Sequence, residues 1–491
     1  MSKKLARTLG DLKKSGYKPK TIKEEVKDNL ISFIQQKNKV FDGIFGYDET
    51  VLPDIEKALL AKHNILLLGL RGQAKTRIAR GIQHLLDDKL PVIRGSEIND
   101  DPLNPISYYG KKVIEEMGDE TPIDWIDRAD RYVEKLATPD VSVSDLIGDL
   151  DPIKAVNQKL SYSDERSIHF GLIPRSHRGI FVINELPDLQ ARIQVALLNI
   201  LEEGDIQVRG FKLRLPLDIL FVFTANPEDY TNRGNIITPL KDRIESQITT
   251  HYPTDPDISR AITKAEAKVD QSVLDDVDMA EAAEDLLEFI AFQARESEMV
   301  DHSSGVSARM SISARELLYS AAERRMLING EYKTSIRFSD FWSIIPAITG
   351  KVELLYEGEL KGPHELALEI MGEALKELFL EYFPNPTKKT KTNDQDIYNT
   401  VRAWFEGKNT VELHNDETDE LRLQKLEQIP GLTKVLQSQS IDPKDVPFFK
   451  EMVLHALAEF EIINKEIIAG SHLFKDPLAG MLDDWENEDD I

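Results

Sequence analysis

Residues 66–76 read L-L-L-G-L-R-G-Q-A-K-T. The apolar run Ile65–Leu68 has the length of a buried strand, and Ile78, Ala79, Ile82, Leu85 and Leu86 keep helical spacing beyond the loop. Strand, glycine-bearing loop and helix in that order outline a phosphate-binding loop. Gly69 and Gly72 let the backbone turn tightly, so that N–H groups of the loop through Leu70, Arg71, Gln73 and Ala74 aim inward at phosphate oxygens. Lys75 supplies a point charge for the β- and γ-phosphates, and the Thr76 hydroxyl is placed to ligate Mg²⁺. The pattern therefore predicts a nucleotide, ATP or GTP, with Mg²⁺. One residue departs from it, because Ala74 stands where glycine usually precedes the lysine. Alanine fits if this residue has helical φ, where a Cβ costs nothing.

The chain has 491 residues, 41% of them hydrophobic, which is enough for two to four domains with real cores. With 86 acidic against 61 basic residues the net charge is −25, which disfavours nucleic acid and anionic lipid and favours protein or small-molecule partners. The absence of cysteine excludes disulfides, thiolate metal sites and a Cys nucleophile. It fits a reducing compartment. No stretch offers about 20 uninterrupted apolar residues for a membrane span, and the N-terminus lacks the apolar centre of a secretory signal. Cytoplasm is the expected address.

Charge and pattern divide the chain. Residues 1–40 carry eleven Lys/Arg and four Asp/Glu and read as a basic, solvated extension; Asp483–Asp490 carries six acids and reads as an acidic tail within 483–491. An α/β nucleotide-binding core is expected over 41–252, with an insertion at about 95–140 that interrupts the strand alternation. Within the core, Ile180–Ile183 and Ile219–Phe223 are buried strands, Leu189–Glu203 is a helix, and Ile206–Arg209 with Lys212–Leu215 reads as a hairpin around Gly210-Phe211. Apolar strands alternating with helices predict a parallel sheet covered on both faces. After Pro253 the pattern is helical, giving an all-α lid over 253–355 and a C-terminal helical region over 356–491, with a linker at about 383–396.

Gly179–Glu185 is a buried strand ending in two polar residues, as a Walker B strand does. The first, Asn184, would hold Mg²⁺ through water, and the second, Glu185, would act as general base on the attacking water. Aspartate is usual at position 184. An amide oxygen still accepts from a metal-bound water but carries no charge, so slower turnover or weaker Mg²⁺ binding is expected. Asn226, after the next strand, would stand beside Glu185 and orient the lytic water. Arg243 is placed to reach a neighbouring subunit's γ-phosphate as an arginine finger, which has work only in a ring.

This ordered set, with a helical lid behind it, resembles the AAA+ ATPases. Asp145–Asp151 and Gly171–Gly179 (G-L-I-P-R-S-H-R-G) are similar to segments of the magnesium-chelatase ATPase subunit and its MoxR-type relatives, over about residues 41–350. The resemblance implies an ATP- and Mg²⁺-dependent hexamer, a helix-2 insert at the 206–215 hairpin, and a sensor-2 arginine at Arg315, with Arg309 as competitor. It also implies a protein partner, of a kind that often carries a von Willebrand A-type metal-dependent adhesion site. Asp140-Val141-Ser142-Val143-Ser144 spells that site's D-x-S-x-S motif, but no apolar strand is read into Asp140 and no domain of that type fits around it. Such a module would belong to another polypeptide.

Three functions follow. The leading one is a ring-forming ATPase that remodels a protein partner, as a MoxR-type chaperone or a metal-insertion motor. The second is a nucleotide-gated scaffold in which Asn184 makes hydrolysis slow. A DNA-acting ATPase or transcriptional activator is disfavoured by the charge and by the absence of a G-A-F-T-G-A-like loop.

Overall fold

The structure is a computed structural model describing residues 5–157, 164–204, 206–208, 211–213, 215–227, 235–388, 396–437, 439–468 and 470–477. It divides into two compact units, Met1–His251 and Tyr252–Ile491.

In chain order the first unit contains α1 (Leu9–Lys14), α2 (Ile22–Gln35), α3 (Val51–Leu60), β1 (Ile65–Leu68), α4 (Lys75–Ile82), β2 (Lys89–Ile93), α5 (Tyr108–Met117), β3 (Ile123–Asp127) and β4 (Tyr132–Leu136). There follow α6 (Val143–Leu146), β5 (Gly148–Leu150), α7 (Pro152–Asn157), β6 (Ile168–Phe170), α8 (Leu172–Arg175) and β7 (Gly179–Asn184). The unit closes with α9 (Ala191–Glu203), β8 (Ile206–Val208), β9 (Phe211–Leu213), β10 (Ile219–Ala225) and β11 (Ser246–Thr249). Five strands form one parallel sheet in the order β11-β1-β10-β7-β4. All residues of β7 and β10 are buried, as expected of strands covered on both faces. Ile65, Leu67, Ile180, Val182, Leu220 and Val222 face a core shared with α2, α3 and α4. The alternate residues Leu66, Phe181, Ile183, Phe221 and Phe223 face the core of α6, α8 and α9. Each of these large side chains contributes about 1.5–3 kcal/mol by leaving water. The parallel arrangement brings the ends of β1, β7 and β10 to one edge of the sheet, where the polar residues stand.

Two readings change here. The 95–140 stretch is not one insertion, because Tyr132–Leu136 is the edge strand of the central sheet, with Glu134 opposite Val182 and Leu136 opposite Asn184. An edge strand is half-solvated, so Y-V-E-K-L lacks the apolar signature of its neighbours. The actual excursion is the antiparallel pair β2-β3 with α5 between them. The half-solvated β4 leads towards Asp140, but it is not an apolar strand. Ser142 and Asp145 form a reciprocal cap on α6, Ser144 bonds Asp149 at 3.3 Å, and among the described residues no group of three or more His, Asp or Glu side chains gathers as a metal site.

The basic N-terminal stretch is likewise not a solvated end over α1 and α2. Ile22, Val26 and Leu30 are buried in the sheet core, and Leu9 and Leu12 pack with Ile123. Glu25 forms a buried bidentate pair with Arg131, at 2.7 and 2.6 Å.

The second unit is mainly helical, with long helices at Glu281–Glu296, Arg309–Asn329, Pro363–Tyr382 and Val446–Glu459. Helices do not account for all of 397–475, however. Val411–His414, Asn464–Ile468 and Ser471–Lys475 form a three-stranded antiparallel sheet, and Val277–Asp278 pairs with Thr334–Ser335. Among the described residues no helix is long and apolar enough to cross a membrane. The acidic tail, half of the 383–396 linker and Arg209-Gly210 of the hairpin lie outside the described residues.

Candidate nucleotide-binding site

The loop joins β1 to α4. Gly72 has φ +75°, and at Gly69 an added Cβ would clash with Thr250 Oγ1 and Gln73 Oε1. Ala74 departs from expectation: it has φ 55° and ψ 14°, left-handed rather than helical. Its Cβ therefore meets the steric cost that glycine avoids, and the loop keeps its shape against that strain. The anchoring is dense. Gly69 N–H donates to Ala225 O on β10 (3.2 Å), Thr250 Oγ1 donates to the buried Gln73 side chain (2.7 Å), and the Tyr47 hydroxyl lies 3.2 Å from Gln73 O and 2.6 Å from His251 O. Lys75 Nζ donates to Gly69 O, to Leu70 O (2.8 Å) and to Asn226 Oδ1 (2.7 Å). An ammonium so placed lies across the loop it would share with phosphate.

Asn226 is buried directly after β10. Its observed partner is Lys75, so it holds the loop lysine from the neighbouring strand. Asn184, buried at the end of β7, donates through Nδ2 to Glu134 Oε1 (2.6 Å) and accepts at Oδ1 from Thr224 Oγ1 (3.0 Å). The same Thr224 oxygen accepts from the Glu185 N–H (3.1 Å). Glu185 follows at φ 57° and ψ 50°. A non-glycine residue held there is strained by about 1–3 kcal/mol, a cost that concentrates at functional sites because the turn aims the side chain off the strand. The Thr76 hydroxyl and the Asn184 amide oxygen are hard oxygens of the kind that suits Mg²⁺.

The two arginines assigned from a distance have partners within their own units. Arg243, at the C-terminal end of the short helix Thr238–Asp242, pairs with Glu202 at 3.2 Å, and that contact raises its pKa. Arg315 is buried against Glu284 (3.2 Å) and over the Tyr319 ring. Arg309, at the first turn of the same helix, is exposed. Of the two sensor-2 candidates, Arg309 is the one with a side chain reaching solvent.

The G-L-I-P-R-S-H-R-G segment is a buried brace. Arg178 has φ 60° and donates to Pro91 O (2.8 Å) and Tyr17 Oη (2.9 Å). His177 Nδ1 accepts from the Asp218 N–H at 2.9 Å, which requires a neutral ring; burial and the neighbouring Arg178 lower its pKa to about 4. Sequence reasoning passed over Tyr47, Glu134, Thr224 and Thr250. Only Thr224, beside Asn226 at a strand end, had a positional signal.

The family model for the sigma-54 interaction domain matches residues 157–247. The 38 kDa subunit of magnesium chelatase from Rhodobacter capsulatus is 25% identical over 199 residues, covering 39% of this chain and 49% of that protein. The chain thus spans about half the length of the curated relative it matches. A cryo-EM-based complex of the BchI and BchD subunits of magnesium chelatase aligns at 18% identity and TM-score 0.33, over 64% of this chain and 96% of that chain. NtrX from Brucella abortus aligns at 14% identity and TM-score 0.38, over 71% and 66%. Neither structure reaches a TM-score of 0.5, and the fold rests on the sheet order and loop described above. Loop, strand-end residues and sequence matches together make this part of the chain similar to AAA+ ATPases. More particularly, the likeness in sequence is to the magnesium-chelatase subunit and covers 39% of this chain.

Proposed function

We propose that the chain binds and hydrolyses ATP within a hexameric ring and uses the cycle to remodel a protein partner, as a MoxR-type chaperone or a metal-insertion motor. The convergence of Lys75, Asn226, Asn184 and Glu185 on adjacent strand ends carries the reading. Lys75 would turn from the carbonyls of Gly69 and Leu70 towards the β- and γ-phosphates, with Asn226 limiting its swing. Thr76 and Asn184 would hold Mg²⁺, which when bound neutralises charge developing on the phosphoryl oxygens. Glu185 would take the proton of the attacking water. Arg243 would leave Glu202 for a neighbouring subunit's nucleotide, and Arg309 or Arg315 would act from the lid. Partners, including one with an adhesion-site domain, and a cytoplasmic address belong to the same reading.

A nucleotide-gated switch is the second reading. It is favoured by one observation: Asn184 brings an amide, with no charge of its own, to the Walker B position. A DNA-acting or transcriptional role draws only on the sigma-54 model, which matches under a fifth of the chain. The hairpin segment lacks G-A-F-T-G-A, and the net charge of −25 opposes nucleic acid.

The test is steady-state ATP turnover with Lys75→Ala and Glu185→Gln alongside, and particle mass by light scattering with and without ATP. Nucleotide-dependent rings with Glu185-dependent turnover support the motor. Binding and assembly without turnover support the switch, and loss of neither function in Lys75→Ala overturns both.

A further inference from the structure

Asn184 removes the negative charge that a Walker B position ordinarily brings to the metal, and the structure places a carboxylate against it. We propose that Glu134, on the edge strand β4, supplies this missing charge and acts through the Asn184 amide as a positioning residue for Mg²⁺. The inference rests on the ATPase reading above.

Glu134 is paired with Val182, two residues before Asn184 on the adjacent strand. Its side chain reaches one step along the sheet, and Oε1 accepts from Asn184 Nδ2 at 2.6 Å. The orientation of the amide follows from donor counting. The Glu134 carboxylate can only accept, so Asn184 presents Nδ2 to it and Oδ1 to Thr224, whose hydroxyl donates to that oxygen while accepting from the Glu185 N–H. Aspartate at position 184 would not fit this arrangement, because two carboxylates at that separation repel and one would take up a proton. Asn184 and Glu134 are therefore a matched pair, with the acid moved one strand outward.

A second contact ties Glu134 to the nucleotide loop. Arg80, on α4 one turn beyond Thr76 and so on the same helix face, meets Glu134 through Nε (2.8 Å) and Nη2 (3.1 Å). The pair is neutral as a whole, but the Arg80 side chain is 63% exposed and that of Glu134 only 21%, so solvent screens the cation more than the anion, and it is the carboxylate that touches the Asn184 amide. The Tyr132 hydroxyl adds a weak contact at 3.3 Å.

The experiment is a Mg²⁺ titration of the binding of a non-hydrolysable ATP analogue to the full chain, together with thermal denaturation without nucleotide. Glu134→Gln can keep a hydrogen bond to Asn184, so a merely structural role predicts an unchanged Mg²⁺ midpoint. The proposal predicts a rise of at least tenfold in that midpoint. Asn184→Asp alone should lower the denaturation temperature, and the exchanged pair Glu134→Gln/Asn184→Asp should restore both that temperature and the Mg²⁺ midpoint to within about threefold of wild type. Wild-type affinity that depends on Mg²⁺ with an unaltered midpoint in Glu134→Gln overturns this inference alone. No Mg²⁺-dependent binding by the wild type overturns the ATPase reading with it.

Discussion

Replacing Ala74 by glycine changes stability in a direction set by the sign of one torsion. At φ 55° and ψ 14° the alanine methyl crowds the following carbonyl, at a cost of about 1–2 kcal/mol. Glycine removes that cost but has more freedom in the unfolded chain, which takes back about 0.4–1 kcal/mol. The net expectation is a gain of about 0.5–1 kcal/mol. Were Ala74 in right-handed helix, the same substitution would lose about 1 kcal/mol. The two geometries therefore predict opposite signs. Because the protein has two units, a whole-chain melting temperature mixes their transitions. Amide hydrogen exchange of peptides spanning β1 and α4 reports on the first unit alone, and protection there should rise about two- to fivefold. A fall in protection refutes the left-handed assignment and the account of the loop built on it.

Gly69→Ala should lower nucleotide affinity at least tenfold and destabilise the first unit by about 1–3 kcal/mol, since its Cβ would force Thr250 and Gln73 apart; wild-type affinity by calorimetry would contradict the close approach. Arg315→Ala should destabilise the second unit by about 3 kcal/mol by leaving the buried Glu284 carboxylate with only Lys264, whereas Arg309→Ala should change stability by under about 0.5 kcal/mol and reduce ATP turnover. Unfolding and turnover assays showing the reverse pattern would assign the sensor-2 role to Arg315 rather than Arg309. His177 has a pKa of about 4 in the fold against an ordinary 6.5, so the unfolded chain binds the extra proton: its contribution is complete above pH 6.5 and falls by about 3 kcal/mol as pH drops to about 4. Urea denaturation between pH 7.5 and 4.5 should show a flatter profile for His177→Gln, and identical profiles would remove His177 as the cause.

Strands β7 and β10 were legible because burial on both faces leaves no polar residue to interrupt them, and the loop because glycine, lysine and threonine recur there for chemical reasons. β4 was not, since an edge strand carrying Glu134 and Lys135 has no apolar run to read. The V-E-L-H stretch at Val411–His414 alternates over only four residues, too short to stand out from the helices around it. At the site, residue types were readable and conformations were not: the letter A at position 74 does not state the sign of φ. Glu134, Tyr47 and Thr250 escaped notice because tertiary folding brings them to the loop and to Asn184 from distant parts of the sequence. The same holds for α2, whose buried face was masked by the lysines on its other side.

The Glu25–Arg131 pair has a bearing on the order in which the protein is made. Glu25 leaves the ribosome 106 residues ahead of Arg131, and the Ile22 N–H is 196 residues ahead of the Asp218 carboxylate that accepts from it at 2.7 Å. At about 5–20 residues per second these gaps correspond to roughly 5–20 and 10–40 seconds of synthesis. During that interval Ile22, Val26 and Leu30 have no finished sheet to cover them. Helix α2 is thus secured long after it is made, and its apolar face stays uncovered until Asp218 has been added.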